Sequence, residues 1–209
     1  MSAPRVRFAV ALLALPFLFS ACASAPQKNT TTATPAAKAE PVFYTARQCL
    51  DRLDAQALRW SPDALLFQLE SDINAETIGH GGKSTVWRGF YASDTRHAVR
   101  TFSCSGSRLP SSPAQGVTGE LEVAYQSTAI PFHAFLAKTD SDQAFAVAQK
   151  HGGEALLKKD PKQPVTYLLA MERGQSVPSW FVIYGASVKD NKGIGVVNAM
   201  TGEFVRASR

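Results

Sequence analysis

The glycine-rich stretch Gly79-His80-Gly81-Gly82-Lys83-Ser84-Thr85 is the segment of this sequence whose residue types come nearest to doing chemistry. Its Gly-Lys-Ser-Thr end has the pieces of a phosphate-binding loop: glycines whose backbone N–H groups curl round a phosphate, a lysine for charge and a hydroxyl for a metal ion. Two departures speak against that use. Thr77 stands where the first required glycine belongs, and the stretch leads into a run of strand character, whereas phosphate needs a helix N-terminus. It reads better as a flexible connection between two strands. Nucleophilic catalysis needs a serine or thiol beside a base, often on a sharp Gly-x-Ser-x-Gly turn, and that pattern is absent; Ser103-Cys104-Ser105 is the nearest cluster. Glu120 and Glu122 lie two apart on a strand, about 7 Å from one another by strand rise, but a solvated face explains such a pair without chemistry.

Metal binding requires His, Cys, Asp or Glu at ligand spacing. His80, His97, His133 and His151 are far apart and no Cys-x-x-Cys or His-x-x-His pair occurs, so any site would have to be assembled by folding. His80, between glycines, is the histidine with a functional reading, while His151 suits a helix C-terminus, where its charge meets the dipole. The expectation is therefore a protein that is not an enzyme, with no catalytic residue, cofactor or metal ligand assigned.

The elements that carry these residues follow from periodicity. A helix is predicted over residues 45–58 on the stripe Ala46, Leu50, Leu53, Ala57, and strands over 64–72, 85–93 and 97–105. Residues 106–116, rich in Gly, Ser and Pro, connect to a strand over 117–127. There Leu121, Val123 and Tyr125 alternate with Glu120, Glu122 and Ala124, which predicts one wet face. A second helix opens at Asp140 or Ser141 and stops at Gly152-Gly153. Strands over 165–171, 180–187 and 194–199 follow, with a last piece at Phe204-Val205. The order α-β-β-β occurs twice. The fold class is thus α+β: two αβββ units, 42–116 (including the connection) and 117–209, with antiparallel sheet and helices packed on one face.

The middle strands of the two units can be laid over one another, Trp87 and Tyr91 on Trp180 and Tyr184, with a proline-marked entry to the first strand of each unit at Pro62 and Pro164. A residue that recurs in this way is better placed in a core than in a ligand groove. Within the second unit, Pro164-Val165-Thr166-Tyr167, then Pro178-Ser179-Trp180 through Tyr184, then Val196-Val197-Asn198-Ala199-Met200-Thr201-Gly202-Glu203 resemble a PepSY-type repeat. Asn198 stands where that repeat usually has Asp. The resemblance covers about a quarter of the chain, Leu156 to Val205. Similar tandem units occur in small exported inhibitor-like and envelope-assembly proteins, so the resemblance implies binding or inhibition. Fold alone does not transfer function.

The N-terminus gives an address. Arg5 and Arg7 precede the apolar run Phe8 to Phe19, which is too short to span a bilayer and closes on small residues, as a secretory signal does. Phe19-Ser20-Ala21-Cys22 resembles a bacterial lipobox, with Phe where Leu is usual; cleavage before Cys22 and lipidation there are expected, with palmitate among the acyl chains. An ordinary secretory cut after Ala21 or Ala23 is the alternative. Residues 1–21 are then the signal peptide and 22–41 a flexible tether, with no apolar side chain larger than alanine from Ala23 until Val42. Ala23 lacks the Asp that signals inner-membrane retention in some bacteria, so the expected location is the cell envelope, at the outer membrane facing periplasm or surface. Export leaves Cys49 and Cys104, both on inward faces, either bridged or as two core thiols; the oxidising compartment favours the bridge. Arg5 and Arg7 account for two of the formal +5, which leaves +3 on the rest, too little and too scattered to suggest nucleic acid.

The expected partners are the membrane, through the anchor, and another envelope protein, met by the open sheet face or by loops 73–84 and 106–116. The alternative is a small-ligand-binding or hydrolytic domain with a polar cavity between helices and sheet.

Overall fold

Thr45 starts the first helix because its side chain accepts from the Gln48 backbone while Gln48 Oε1 accepts from the Thr45 N–H, a capping box. The helix, α1 (Ala46–Trp60), then buries Ala46, Cys49, Leu50, Leu53 and Ala57, one stripe at helical spacing. The computed structural model describes residues 40–125 and 128–208; the signal segment, Cys22 and nearly all of the tether lie outside the described residues.

A short strand β1 (Tyr44–Thr45) precedes α1 and pairs with β3 (Lys83–Ser84). The main sheet takes β2 (Leu65–Ser71), β4 (Val86–Ser93), β5 (Ala98–Ser105), β6 (Gly116–Gly119) and β7 (Val123–Ala124) from the first half. The second half opens with α2 (Ser141–Ala148) and α3 (Glu154–Lys159) and adds β8 (Val165–Ala170), β9 (Ser179–Gly185), β10 (Asn191–Asn198) and β11 (Phe204–Ser208). The order is β11-β10-β9-β8-β2-β4-β5-β6, with β7 also on β5, and every pairing is antiparallel. The α+β class, the antiparallel sheet and the helices on one face are as the sequence predicts.

The first strands of the halves meet in the middle, with Leu69 opposite Leu169, so each half's meander runs outward from a shared centre. Detailed contacts recur as well. Trp87 Nε1 donates to the carbonyl of Tyr44 and Trp180 Nε1 to that of Thr139, both at 2.9 Å, and each carbonyl belongs to the residue just before a helix N-cap. Both rings are buried, and they meet edge to face at 6.3 Å. The helix starts adjoin: Asp140 Oδ1 accepts from the Ser141 and Arg47 backbone N–H groups, and Ser141 Oγ accepts from Ala46. One carboxylate thus sits at two positive helix ends.

Three expectations change. The strand predicted over 117–127 is broken into β6 and β7, both on the outer edge of the first half, and Leu121 and Val123 are 90% and 62% exposed. Its glutamates explain this: Glu122 is held by Trp60 Nε1 and Arg96, and Glu120 by Arg88, with the Glu120 carbonyl taking Arg100. These pairings tie the acids to neighbouring strands and to α1 at the surface, while Leu121 and Val123 stay exposed as well. The second helix does not stop at Gly152-Gly153. It kinks where His151 leaves helical backbone and Gly152 takes φ +110°, then resumes as α3. Loop 73–84 is no flexible connection: Tyr167 Oη donates to Gly79 O at 2.6 Å and accepts from Gly82 N–H at 3.0 Å, and Ser141 Oγ donates to Gly82 O at 2.6 Å.

Candidate interaction site

The helices cover one face of the sheet and leave the other open. In the second half the open face carries Leu168, Phe181, Ile183, Ile194 and Val196, an apolar cluster separate from the main core. These positions alternate with Leu169, Val182 and Val197, which face the helices. In the first half the same face is mostly polar: Gln68, Glu70 and Arg88 lie there with Phe67 and Phe90. A bulge between Leu66 and Gln68 places Phe67 on this side, near Phe90 and Tyr125, and the Leu66 carbonyl accepts from the Phe132 N–H.

Where the halves meet, a groove of about 750 Å³ crosses β2, β8 and β9. Leu168 and Ile183 are among its apolar residues, and the β9–β10 turn with Val188 and Lys189 and the segment Asp72-Ile73 also line it. Glu70 lines it too, its Oε2 accepting from Gln68 Nε2 at 2.7 Å. Burial pushes the Glu70 carboxyl above the usual carboxylate range, against the Gln68 hydrogen bond, and the nearby Asp72 charge adds to the rise while Arg88 opposes it. Asp72 is paired with Arg88, whose Nε and Nη2 both reach it, at 3.1 and 2.9 Å. That pairing holds the Arg88 proton more firmly than usual. The arrangement suits recognition: an apolar floor for a side chain and a half-buried carboxylate that gains from a donor.

The residues singled out from sequence are scattered. Cys49 and Cys104 form a disulfide joining α1 to β5, with Cα atoms 5.7 Å apart and both residues buried. His80 Nε2 lies 2.8 Å from the Gln163 carbonyl and ties the glycine loop to the approach to β8. His151 stacks on Phe204 at 3.9 Å. Glu120 and Glu122 go to separate partners and form no carboxylate pair. Cys22, the expected lipidation site, lies outside the described residues. Among the described residues, no group of three or more His, Cys, Asp or Glu is placed to hold a metal ion, and no helix is long and apolar enough to cross a membrane. Sequence reasoning missed Glu70 and its groove. The signal was the polar alternation Gln68, Glu70, Asp72 on a strand whose other positions are apolar.

No family model matches the chain, and no curated protein matches it. Among solved structures, the chain is similar to a Clostridium difficile protein described as a candidate lipoprotein, at 11% identity and a TM-score of 0.48, over 74% of this chain and 88% of that one. A likeness at that level bears on neither ancestry nor activity.

Proposed function

We propose that this chain is an exported, lipid-anchored envelope protein that works by binding another protein, and that the groove on the open sheet face is its contact surface. The observation that carries the reading is that groove: it lies over the two central strands, is flanked by the β9–β10 turn, and combines apolar side chains with the half-buried Glu70. The Arg5/Arg7 and Phe8–Cys22 pattern supports export and lipidation at Cys22, and the Cys49–Cys104 disulfide suits an oxidising compartment. The PepSY-like motifs of the second half support a binding role. The outer membrane, facing periplasm or surface, is the proposed location.

The test has two arms. Intact mass and membrane partition of wild type and Cys22→Ala should show a lipid increment and membrane retention that the variant loses; an unlipidated soluble wild type would overturn the anchor. Photo-crosslinkers at Thr166 and Lys189 in living cells should capture one discrete envelope protein, and crosslinkers on the helix face should not. Equal labelling from both faces would remove the groove from the proposal.

A further inference from the structure

Between the helices and the sheet, on the covered side, lie two clefts that the groove reading does not use. The first, about 270 Å³, lies between the end of α1 and strands β5 and β6, with Gln56, Arg59, Trp60, Arg100 and Phe102 among its walls. The second, about 360 Å³, lies between the kink after α2 and strands β10 and β11, with His151, Tyr184 and Lys192 among its walls. Their positions correspond. Each is bounded by the third and fourth strands of its half, and Gln56 and His151 both stand eleven residues after their N-caps, Thr45 and Asp140.

Both clefts pair aromatic side chains with basic ones that form no direct ion pair. In the first, Trp60 and Phe102 meet edge to face at 6.3 Å, and the Arg100 guanidinium lies over Phe102 at 5.1 Å. Arg100 Nε donates to the Glu120 carbonyl at 2.8 Å, which orients the guanidinium and leaves its terminal nitrogens available. The acid that reaches this rim, Glu122, is already held by Trp60 Nε1 and Arg96. In the second, His151 and Tyr184 share the walls with Lys192, Gly193 and Gly195, and the His151 ring stacks on Phe204 at 3.9 Å. Among the described residues, none of Arg59, Arg100, His151 and Lys192 forms an ion pair.

We propose that these two clefts are equivalent binding sites for a carboxylate borne on a planar or apolar body, the acid meeting Arg59 and Arg100 in one cleft and Lys192 with His151 in the other. A guanidinium fork matches a carboxylate, and a cation beside an aromatic wall selects an anion attached to something that stacks. A free small acid and the C-terminal carboxylate of a peptide share this chemistry. The volumes sit at or just below the lower end of small-molecule sites, so each cleft takes one such group.

The probe is N-acetyl-L-phenylalanine, titrated calorimetrically into the full chain in mild detergent, with N-acetyl-L-phenylalaninamide as the uncharged control. Two sites per chain are expected, with Kd on the order of 1 mM, and the amide should bind at least tenfold more weakly. The pair Arg59→Gln/Arg100→Gln should remove one site, Lys192→Gln/His151→Gln the other, and the four changes together both. These residues lie at the surface, and unchanged circular dichroism verifies each variant's fold. A hexapeptide ending in the same residue distinguishes the sources: equal affinity assigns a peptide terminus, and binding of the small acid alone assigns a metabolite. No saturable heat, equal affinity for acid and amide, a single site, or sites untouched by the substitutions would each overturn the proposal.

Discussion

Tyr91 and Tyr184 occupy equivalent places, yet one hydroxyl is satisfied and the other is not. Tyr184 Oη accepts from Gln149 Nε2 at 2.9 Å, and burial pushes its pKa up to about 12. Tyr91 Oη is buried without a partner, although Asp54, as far from its N-cap as Gln149 is from its own, lies near enough to raise the Tyr91 pKa after desolvation. Tyr184→Phe should therefore cost about 1 kcal/mol, while Tyr91→Phe should be neutral or slightly stabilising, because it removes a desolvated group that gains nothing. Urea unfolding of the two variants checks this; a larger loss at Tyr91 would reveal a bond between Tyr91 and Asp54. Glu70 gives a pH-dependent prediction. Its folded pKa is raised, chiefly by burial, so the fold binds that proton more tightly than the open chain, and the stabilisation is present at low pH and lost as pH rises through the raised value. Glu70→Gln should raise Tm at pH 7, with the gain vanishing below the ordinary 4.5. A gain independent of pH would exclude burial of the charge as the cause. The tyrosines were legible as a repeated pair from spacing alone. Which of them finds a partner depends on whether Gln or Asp stands at the matching helix position.

At the scale of elements, the glycine loop acts as a clasp. Gly82 has φ +75°, and a Cβ there would lie 2.2 Å from Asp142 Cα, at the start of α2; Gly81 has φ +72° with open space around it. Gly81→Ala should cost about 1 kcal/mol, the conformational penalty alone, whereas Gly82→Ala should cost more than about 2 kcal/mol by pushing α2 off the loop. Comparing the two melting temperatures isolates the contact from the backbone term, and equal losses would refute it. The loop's glycines were legible in sequence, but their purpose was not. They serve close approach and Tyr167, which comes from a strand 88 residues beyond Gly79. The broken edge strand has a similar cause: alternation predicted one wet face over residues 117–127, and the pairing of Glu120 with Arg88 and of Glu122 with Arg96 and Trp60 depends on residues from other elements.

The whole molecule is stapled across one half only. The disulfide joins residues 55 apart in α1 and β5, and closing such a loop in the unfolded chain is worth about 4 kcal/mol. Cys49→Ala/Cys104→Ala should lose close to that amount in chemical unfolding, and a loss near zero would mean the reduced unfolded chain already keeps α1 near β5. The sequence alone determined what depends on local period and composition: the α+β class, the starts of α1 and α2, most of the strands of the antiparallel sheet, and the inward faces of Trp87, Trp180, Cys49 and Cys104. Hydrophobic alternation and helix capping are properties of neighbouring residues, so they survive without a partner. The tertiary structure alone decided the joining of β2 to β8, the seating of Asp140 at two helix starts, the groove beside Glu70 and the two clefts on the covered side. Each of these arises from residues far apart in the chain whose proximity is set by packing and strand register, to which no local pattern responds.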